Sequence, residues 1–482
     1  MRLQILKILA KQVWVSTLKS TSVMGLIALM GILLAFSVRM GYTNLSYQQA
    51  LRSQYQREVR EKWENSPDKH PHRMAHYGYI AFREKYPLSF FDSGMESYTG
   101  NAVFLEAHRQ NTVNFSEASL STGILRLGEI SAAMVLQVLL PLLIFFWGFN
   151  FVAADRENGT LKLLLTQGVS WSEIIVGKAF GLFSIAFLVF VVAIVASLPV
   201  LLNPEILKTA DDPLSRFGIL LAFYALYIFI CCLLAVLVSA LSATSKSALT
   251  QLIGFWLLFT IILPRTAQAF GQFLCPTPSK VAFETALEAE LLKQGDSHNP
   301  NDVHYKALKD SILRVYKVDS VQQLPFNYSG FQMKEGERLS AKVYNEQQRK
   351  LLNIYEKQQN VTRLTAFINP FMAIKNLSMA LTGTDFAAYT DFQRQSEDYR
   401  YRLAQHMNDL QIKLIGNKKL GEKEKPYFID KENWRQFPDF KYQFLTTKTV
   451  FKNEKISLFA LFGWFIGLLV LVKIRAKRFK AV

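Results

Sequence analysis

Six stretches of the chain read as nearly unbroken apolar runs of roughly 17 to 25 residues, the length at which a helix crosses about 30 Å of hydrocarbon. They cover residues 22–38, 130–152, 179–202, 217–241, 248–264 and 456–472. The first and last are the shortest and leave little room for tilt. Ahead of them, Leu3, Ile5, Leu6, Leu9, Val13, Trp14 and Leu18 recur at helical spacing with lysines on the other side, which predicts an amphipathic helix lying in the headgroup region. Between the runs the pattern turns polar. Residues 47–65 are rich in Gln, Arg and Glu and predict a solvated helix, while 334–366 and 384–414 are long, polar and free of proline. In 334–366, Leu339, Val343, Tyr344, Leu351, Ile354 and Tyr355 keep helical spacing, so these two stretches are expected to pair as an antiparallel hairpin. Residues 368–385, between them, carry two apolar turns and a Gly stop and are expected to cap the hairpin or rest on the membrane surface.

This pattern defines an α-helical integral membrane protein with six transmembrane helices, an amino-terminal interfacial helix and a mainly α-helical external domain. The expected order is the interfacial helix over 1–20, a first span over 21–39 and an external segment over 40–128. A second span over 129–153, a short loop over 154–174 and three spans within 175–269 follow. A larger external segment over 270–455, a last span over 456–473 and a basic tail over 474–482 complete it. Neither external segment promises a self-sufficient core, so the two are expected to fold against each other.

Composition agrees: half the residues are hydrophobic and 19% are charged, below the roughly 25% of soluble chains. The formal charge of +17 raises nucleic acid as a partner, but its distribution argues for membrane lipid instead. Arg2, Lys7, Lys11 and Lys19 precede the first run, and Lys473, Arg475, Lys477, Arg478 and Lys480 follow the last, as basic residues do on the cytosolic side. Both termini are therefore expected in the cytosol, and the loops carrying Arg156, Lys162 and Lys246 with them. No small-residue cleavage site follows the first run, which reads as an uncleaved signal anchor. Cys231 and Cys232 lie within the fourth run and only Cys275 outside, so no disulfide can brace the external segments.

Candidate chemistry is sparse. His70, His72 and His76 have the spacing of a metal site, yet with no cysteine nearby and only scattered carboxylates the sequence favours a solvated loop and no metal. No phosphate-cradling Gly-x-x-x-x-Gly-Lys-Ser/Thr loop, His-Glu-x-x-His zinc site or Gly-x-Ser-x-Gly elbow occurs, so neither an ATPase nor another recognisable enzyme is encoded and no catalytic or cofactor-binding residue is named. Ionisable residues are nearly absent from the spans, which removes the groups that proton-driven transport needs; Glu129 and Arg265 sit at external ends. Gln137 and Gln251, with the kinking Pro141, are the main exceptions to apolarity. They are candidates to line a pathway, although interhelical hydrogen bonding accounts for them more simply.

The polar loop between the second and third runs is the most informative segment. Asp155 and Glu157 suit the amino end of a helix, Thr160 is placed to cap the run Leu161, Leu163, Leu164, Leu165, and Gly168 to end it. Ser170 and Glu173 have capping-box spacing ahead of the third span. A short helix clamped between two spans is stiff enough to transmit a push, and on spacing alone an ordinary tight turn fits equally.

The succession Glu157-Asn158-Gly159-Thr160-Leu161-Lys162-Leu163-Leu164-Leu165, Val169-Ser170, Glu173-Ile174 and Gly177-Lys178 resembles the signature of permease subunits of type-two ABC (ATP-binding cassette) exporters. The resemblance implies that this loop is a coupling helix docking into a separate ATPase subunit, with Asp155, Glu157, Gly159, Thr160, Leu164, Ser170 and Glu173 as its coupling residues. It further implies ATP and Mg bound by that ATPase dimer alone, a second permease as partner, and spans one, two and five near the dimer interface. Ala75-His76-Tyr77-Gly78, Glu106-Ala107-His108-Arg109 and Asn369-Pro370-Phe371-Met372-Ala373 through Thr382-Gly383-Thr384-Asp385 resemble phrases of a bacterial subgroup with large periplasmic insertions. This implies a multi-pass protein of the bacterial inner membrane with its large domain external. Ordinary members have short external loops, so their substrates do not transfer. Three functions remain in view: an exporter permease, an ATPase-driven mechanical relay acting on an external partner without transport, and a membrane-anchored receptor or enzyme, which leaves the loop unexplained.

Overall fold

The computed structural model describes residues 1–113, 130–299, 301–418 and 427–477. Glu129, Arg478 and Lys480, named above, lie outside the described residues. The helices that frame the molecule are α1 (Leu3–Leu18), α2 (Thr21–Glu64), α3 (Pro71–Tyr77), α4 (132–148), α5 (Ala153–Glu157), α6 (Thr160–Thr166), α7 (Trp171–Leu201) and α8 (Pro213–Leu241). They continue with α9 (Ser245–Leu274), α10 (Lys280–Leu292), α11 (Val303–Tyr316), α12 (Tyr328–Leu364), α13 (Pro370–Leu381), α14 (Phe386–Leu414) and α15 (Lys455–Ala476). One antiparallel hairpin joins β1 (Tyr79–Phe82) to β2 (Ala102–Leu105), with Tyr79 opposite Leu105. Among the described residues, six helices are long and apolar enough to cross a membrane, and each of the six apolar runs falls largely on one of them.

Proline marks two of these helices in the same way. Pro141 and Pro264 each follow a π-helical turn, Val135–Leu139 and Leu258–Ile262. A proline donates no N–H and its ring crowds the carbonyl four residues back, so the helix widens and carbonyls lose their partners. Here those carbonyls are recovered from the side. The Gln137 carbonyl accepts from the Tyr227 hydroxyl at 3.0 Å, that of Val138 from the Trp256 indole at 2.9 Å, and that of Phe259 from the Asn369 amide at 2.8 Å.

α1 packs lengthwise on α7, burying Leu9, Val13 and Thr17. Gly177 and Gly181, four residues apart on α7, make this possible, as small residues do between membrane helices. A Cβ on Gly181 would stand 2.7 Å from Cβ of Val13, and one on Gly177 would stand 2.9 Å from Cβ of Leu9. Where headgroups alone were expected to hold α1, a groove on α7 receives it.

A second departure concerns α2. The sequence expectation ended the first span at residue 39 and began a separate polar helix at 47, but one helix of 44 residues runs through both. The intervening residues 40–46 contain no proline, and their single glycine, Gly41, serves contact instead: the carbonyl of Phe90 sits where a Cβ would project. The far half of α2 therefore stands clear of the bundle and carries Trp63 into the core of the polar domain.

That domain is built from both polar segments. Trp63, Met74, Tyr79, Val103 and Leu105 share one core with Phe392, Tyr399, Met407, Trp434 and Phe440. α12 and α14 lie antiparallel, with Gly330 against Ile412 and Lys334 bonded to Asp409 at 2.6 Å. Arg400 and Glu337 meet between them at 2.7 Å with both side chains buried, and Arg400 also bonds Glu397 at 2.7 Å. Burial alone would push the Glu337 carboxyl up, but the hydrogen bond from His108 and the charge of Arg400 hold it at about 2. α13 neither caps the hairpin nor lies flat on a surface. It is buried against α8 and α15, and with Phe90 and Phe91 it closes one end of the bundle.

Replacing Gly181 with Leu is expected to lever α1 off α7 and destabilise the fold by about 1–3 kcal/mol. A thermal-unfolding midpoint in detergent matching that of the parent chain would contradict this packing.

Candidate functional site

At the bundle end away from the polar domain, residues 151–173 form two short helices whose anchoring is almost entirely polar. α5 begins where the buried hydroxyl of Ser239, on α8, accepts from the backbone N–H groups of Val152 (3.0 Å) and Ala153 (3.1 Å). Those two donors open a helix and would otherwise be bare inside the protein. One turn later Arg156 reaches the C-terminal carbonyls of α8, those of Ser242 and Ala240 (2.7 Å to the latter), where the helix dipole favours a cation. Glu157 does the reverse at the amino end of α9, accepting from the N–H of Ser245 at 2.9 Å and its hydroxyl at 2.6 Å. α5 is thus wedged between the end of one long helix and the start of the next.

Gly159 turns the chain with φ +77°, a left-handed conformation that suits glycine, and nothing lies near its missing Cβ. Thr160 does not cap α6 as its sequence position indicates. It occupies the first helical position after Gly159, and its hydroxyl points back to the carbonyl and carboxylate of Asp155, both at 3.2 Å. Asp155 also pairs with Lys178 on α7, a buried cation that donates to the Phe151 carbonyl as well. On α6, Leu161 is buried and Leu164 half-buried against the bundle, while Leu163 is 62% exposed with Lys162, Thr166 and Gln167 around it. The apolar residue presented outward is Leu163, one position from the Leu164 singled out by sequence.

Gly168 ends α6 at φ +76°, and the Ser170–Glu173 capping box starts α7: Ser170 Oγ accepts from the Glu173 N–H at 3.3 Å, and Glu173 Oε2 accepts from the Ser170 N–H at 3.0 Å. Glu173 is also the anchor for Arg2, which sequence reasoning missed. Its carboxylate accepts from the Arg2 backbone at 2.7 Å and from the guanidinium at 2.8 and 3.1 Å, while the same guanidinium donates to the Gly168 carbonyl at 2.5 Å. The start of α1 is thereby tied to the loop. Its only sequence signal is a lone arginine ahead of an amphipathic helix.

The two glutamines are not brought together. Gln137 is buried, donating at 2.6 Å to the Tyr224 hydroxyl, which meets Ser378 of α13 at 2.9 Å; Ser378 in turn donates to Asp92. Beside this chain lies a cavity of about 230 Å³ lined also by Lys375 and Phe371. Gln251 is exposed and reaches Ser242 and Ser247, near the clamped loop. The expected solvated loop around His70, His72 and His76 is corrected too: Pro71–Tyr77 is a helix, capped by His70, whose Nδ1 accepts from the His72 N–H at 3.3 Å. Proline at the first helical position favours that start.

Residues 102–273, from β2 through α9, match the family model described as ABC-2 family transporter protein, and residues 280–443 match a domain of unknown function, DUF3526. No curated protein matches the chain. The chain therefore carries the membrane domain of an ABC-2 type permease, a component of an ABC transporter, with a DUF3526 domain after it; α1, the whole of α2 and α15 lie outside both matches.

Removing the Ser239 hydroxyl by an alanine substitution should leave two helix-opening N–H groups unpaired and destabilise α5 by about 1–2 kcal/mol. Amide exchange at Val152 and Ala153 should accelerate. Unchanged protection there would show that α5 is held by other contacts.

Proposed function

We propose that this ABC-2 type permease is the membrane-spanning half of an exporter that moves its substrate with ATP hydrolysed by a separate ATPase dimer. A second permease, identical or related, completes the assembly, and no nucleic acid takes part. Mg and ATP belong to the ATPase, and the chain itself performs no catalysis. In this reading both termini and the α5–α6 loop face the cytosol of a bacterial inner membrane, with the polar domain in the periplasm.

One observation carries the reading: a short helix held at both ends by charged and capping contacts presents an exposed leucine among polar neighbours. Because Arg156 and Glu157 grip the α8–α9 junction, and Asp155 and Glu173 grip α7 and α1, a push on α6 reaches four long helices at once. A surface turn without these contacts would absorb the push itself. Gly159 and Gly168 set the orientation of α6, while Thr160 and Ser170 complete its anchoring. Closure of the ATPases against Leu163 would then tilt the bundle, and the polar domain would receive or guide the substrate on the far side. The unbroken α2 keeps a second reading open, in which the motion of the bundle acts on a periplasmic partner and nothing is transported.

The test is gentle extraction of the tagged chain from its own membrane, followed by mass spectrometry of co-purifying chains and an ATPase assay. An ATP-binding subunit should accompany the parent chain. Substituting Leu163 by Glu should lower the associated ATPase activity about tenfold or more, as loss of an interface anchor does, with membrane amount and thermal midpoint unchanged. A chain that emerges alone under several mild detergents, or an L163E variant that retains its ATPase, would refute the docking role.

A further inference from the structure

Four of the seven histidines converge on one point of the polar domain, although the sequence scatters them over more than two hundred positions. His72 and His76, one turn apart on α3, share a face. His108 comes from the tight turn after β2, and His298 from the connection between α10 and α11. One ring nitrogen of each lies within 4.8 Å of those of the other three, and ring centroids stand 4.6 Å (His72–His76), 5.0 Å (His108–His298) and 5.3 Å (His76–His108) apart.

The surroundings are those of a ligand set rather than of packed aromatic rings. His108 Nδ1 lies 3.2 Å from the fully buried carboxylate of Glu337, which also accepts the His108 backbone N–H at 2.8 Å and is itself anchored by Arg400. Such a carboxylate fixes the proton on Nδ1 and leaves Nε2 as a bare lone pair, the arrangement found behind metal-bound histidines. His108 Nε2 is buried without a partner, and so is His72 Nδ1. The His108 backbone is held at φ +62°, one of two such non-glycine residues among those described. The turn therefore adopts a conformation that L-residues disfavour in order to aim this ring. Histidines charged together at this spacing would repel, whereas neutral imidazoles around a dication attract it.

We propose that His72, His76, His108 and His298 form a zinc site that staples the two polar segments of the chain to each other. Four imidazoles without a thiolate or a carboxylate oxygen suit a borderline ion such as Zn²⁺ and exclude Ca²⁺ or Mg²⁺, which take oxygen ligands. Tetrahedral bonds of about 2.0–2.1 Å place ligand nitrogens roughly 3.3 Å apart, so side-chain rotations that draw in the exposed His76 and His298 complete the site. Three segments, α3, the turn after β2 and the α10–α11 connection, would then be fixed to one ion, and His298 would tie the DUF3526 region to residues that precede the membrane match. Glu337 acts as a positioning residue through His108.

The experiment uses the full chain in detergent, purified through a tag free of histidine, stripped with a chelator and titrated with Zn²⁺ alone. The expected result is one zinc per chain by elemental analysis and a higher thermal midpoint with zinc than without. The pair H76A/H298A, both solvent-facing, should lower zinc affinity at least a hundredfold while helicity and elution volume stay unchanged. E337Q should lower it about tenfold, and H304A, at an exposed histidine outside the cluster, should leave it as it is. A stripped parent chain that takes up no zinc, an H76A/H298A protein that binds as tightly as the parent, or uptake of Cu²⁺ but not Zn²⁺ would overturn the assignment. No ATPase partner or transport enters these measurements, so they stand or fall apart from the exporter reading.

Discussion

Inside hydrocarbon a backbone carbonyl or N–H without a partner costs several kcal/mol, and this single requirement organises much of the molecule. Two spans carry a proline just after a π-helical turn, and three carbonyls beside these breaks accept from side chains elsewhere in the fold. Tyr227 and Trp256 serve α4; Asn369, which belongs to the polar segment and not to a span, serves α9. The same logic governs the other end, where Ser239 receives the first N–H groups of α5 and Arg156 receives the last carbonyls of α8. The hydrogen bonds that satisfy the breaks are also the ones that hold neighbouring helices in register.

A consequence is that the polar domain and the bundle are one structure. α13, flanked by Asn369 and ending in Leu381, is buried among α8 and α15, and its Ser378 extends the chain from Gln137 through Tyr224 to Asp92. Close by, Arg216 bonds Asp212 at 3.0 Å and lies over the ring of Tyr86. Salt bridges of this kind, largely desolvated, contribute more to fixing one arrangement than to net stability.

What could be read from sequence was what periodicity and local spacing encode. Six apolar runs, the paired helices of the polar domain and the Ser170–Glu173 capping box each depend on residues a few positions apart, and each is present. What could not be read depends on distant partners. Arg2 meets Glu173 across most of the membrane domain, the Thr160 hydroxyl turns back to Asp155 because Gly159 takes the capping position, and Leu163 is exposed in place of Leu164 because the bundle covers the other face of α6. The histidines show the limit most plainly. His72 and His76 were visible as a pair, but their companions lie on a turn after β2 and on a connection in the second polar segment, so the sequence near His70 held only half the constellation. The fusion of α2 was hidden for the opposite reason: hydropathy drops at residue 40, but nothing in 40–46 compels a helix to stop.

That fusion gives the molecule a lever with a located fulcrum. From Thr21 to Gly41 the helix rises about 30 Å, the thickness of the hydrocarbon, and from Gly41 to Glu64 about 35 Å more. At the junction the carbonyl of Phe90 packs against the glycine, where the Cβ of any other residue would project. A rocking of about 10° at this point would swing Trp63 and the core around it through roughly 6 Å, from the 1.5 Å rise per residue alone. Movements too small to reshape the packed spans would thus arrive at the tip of the polar domain as displacements of molecular size.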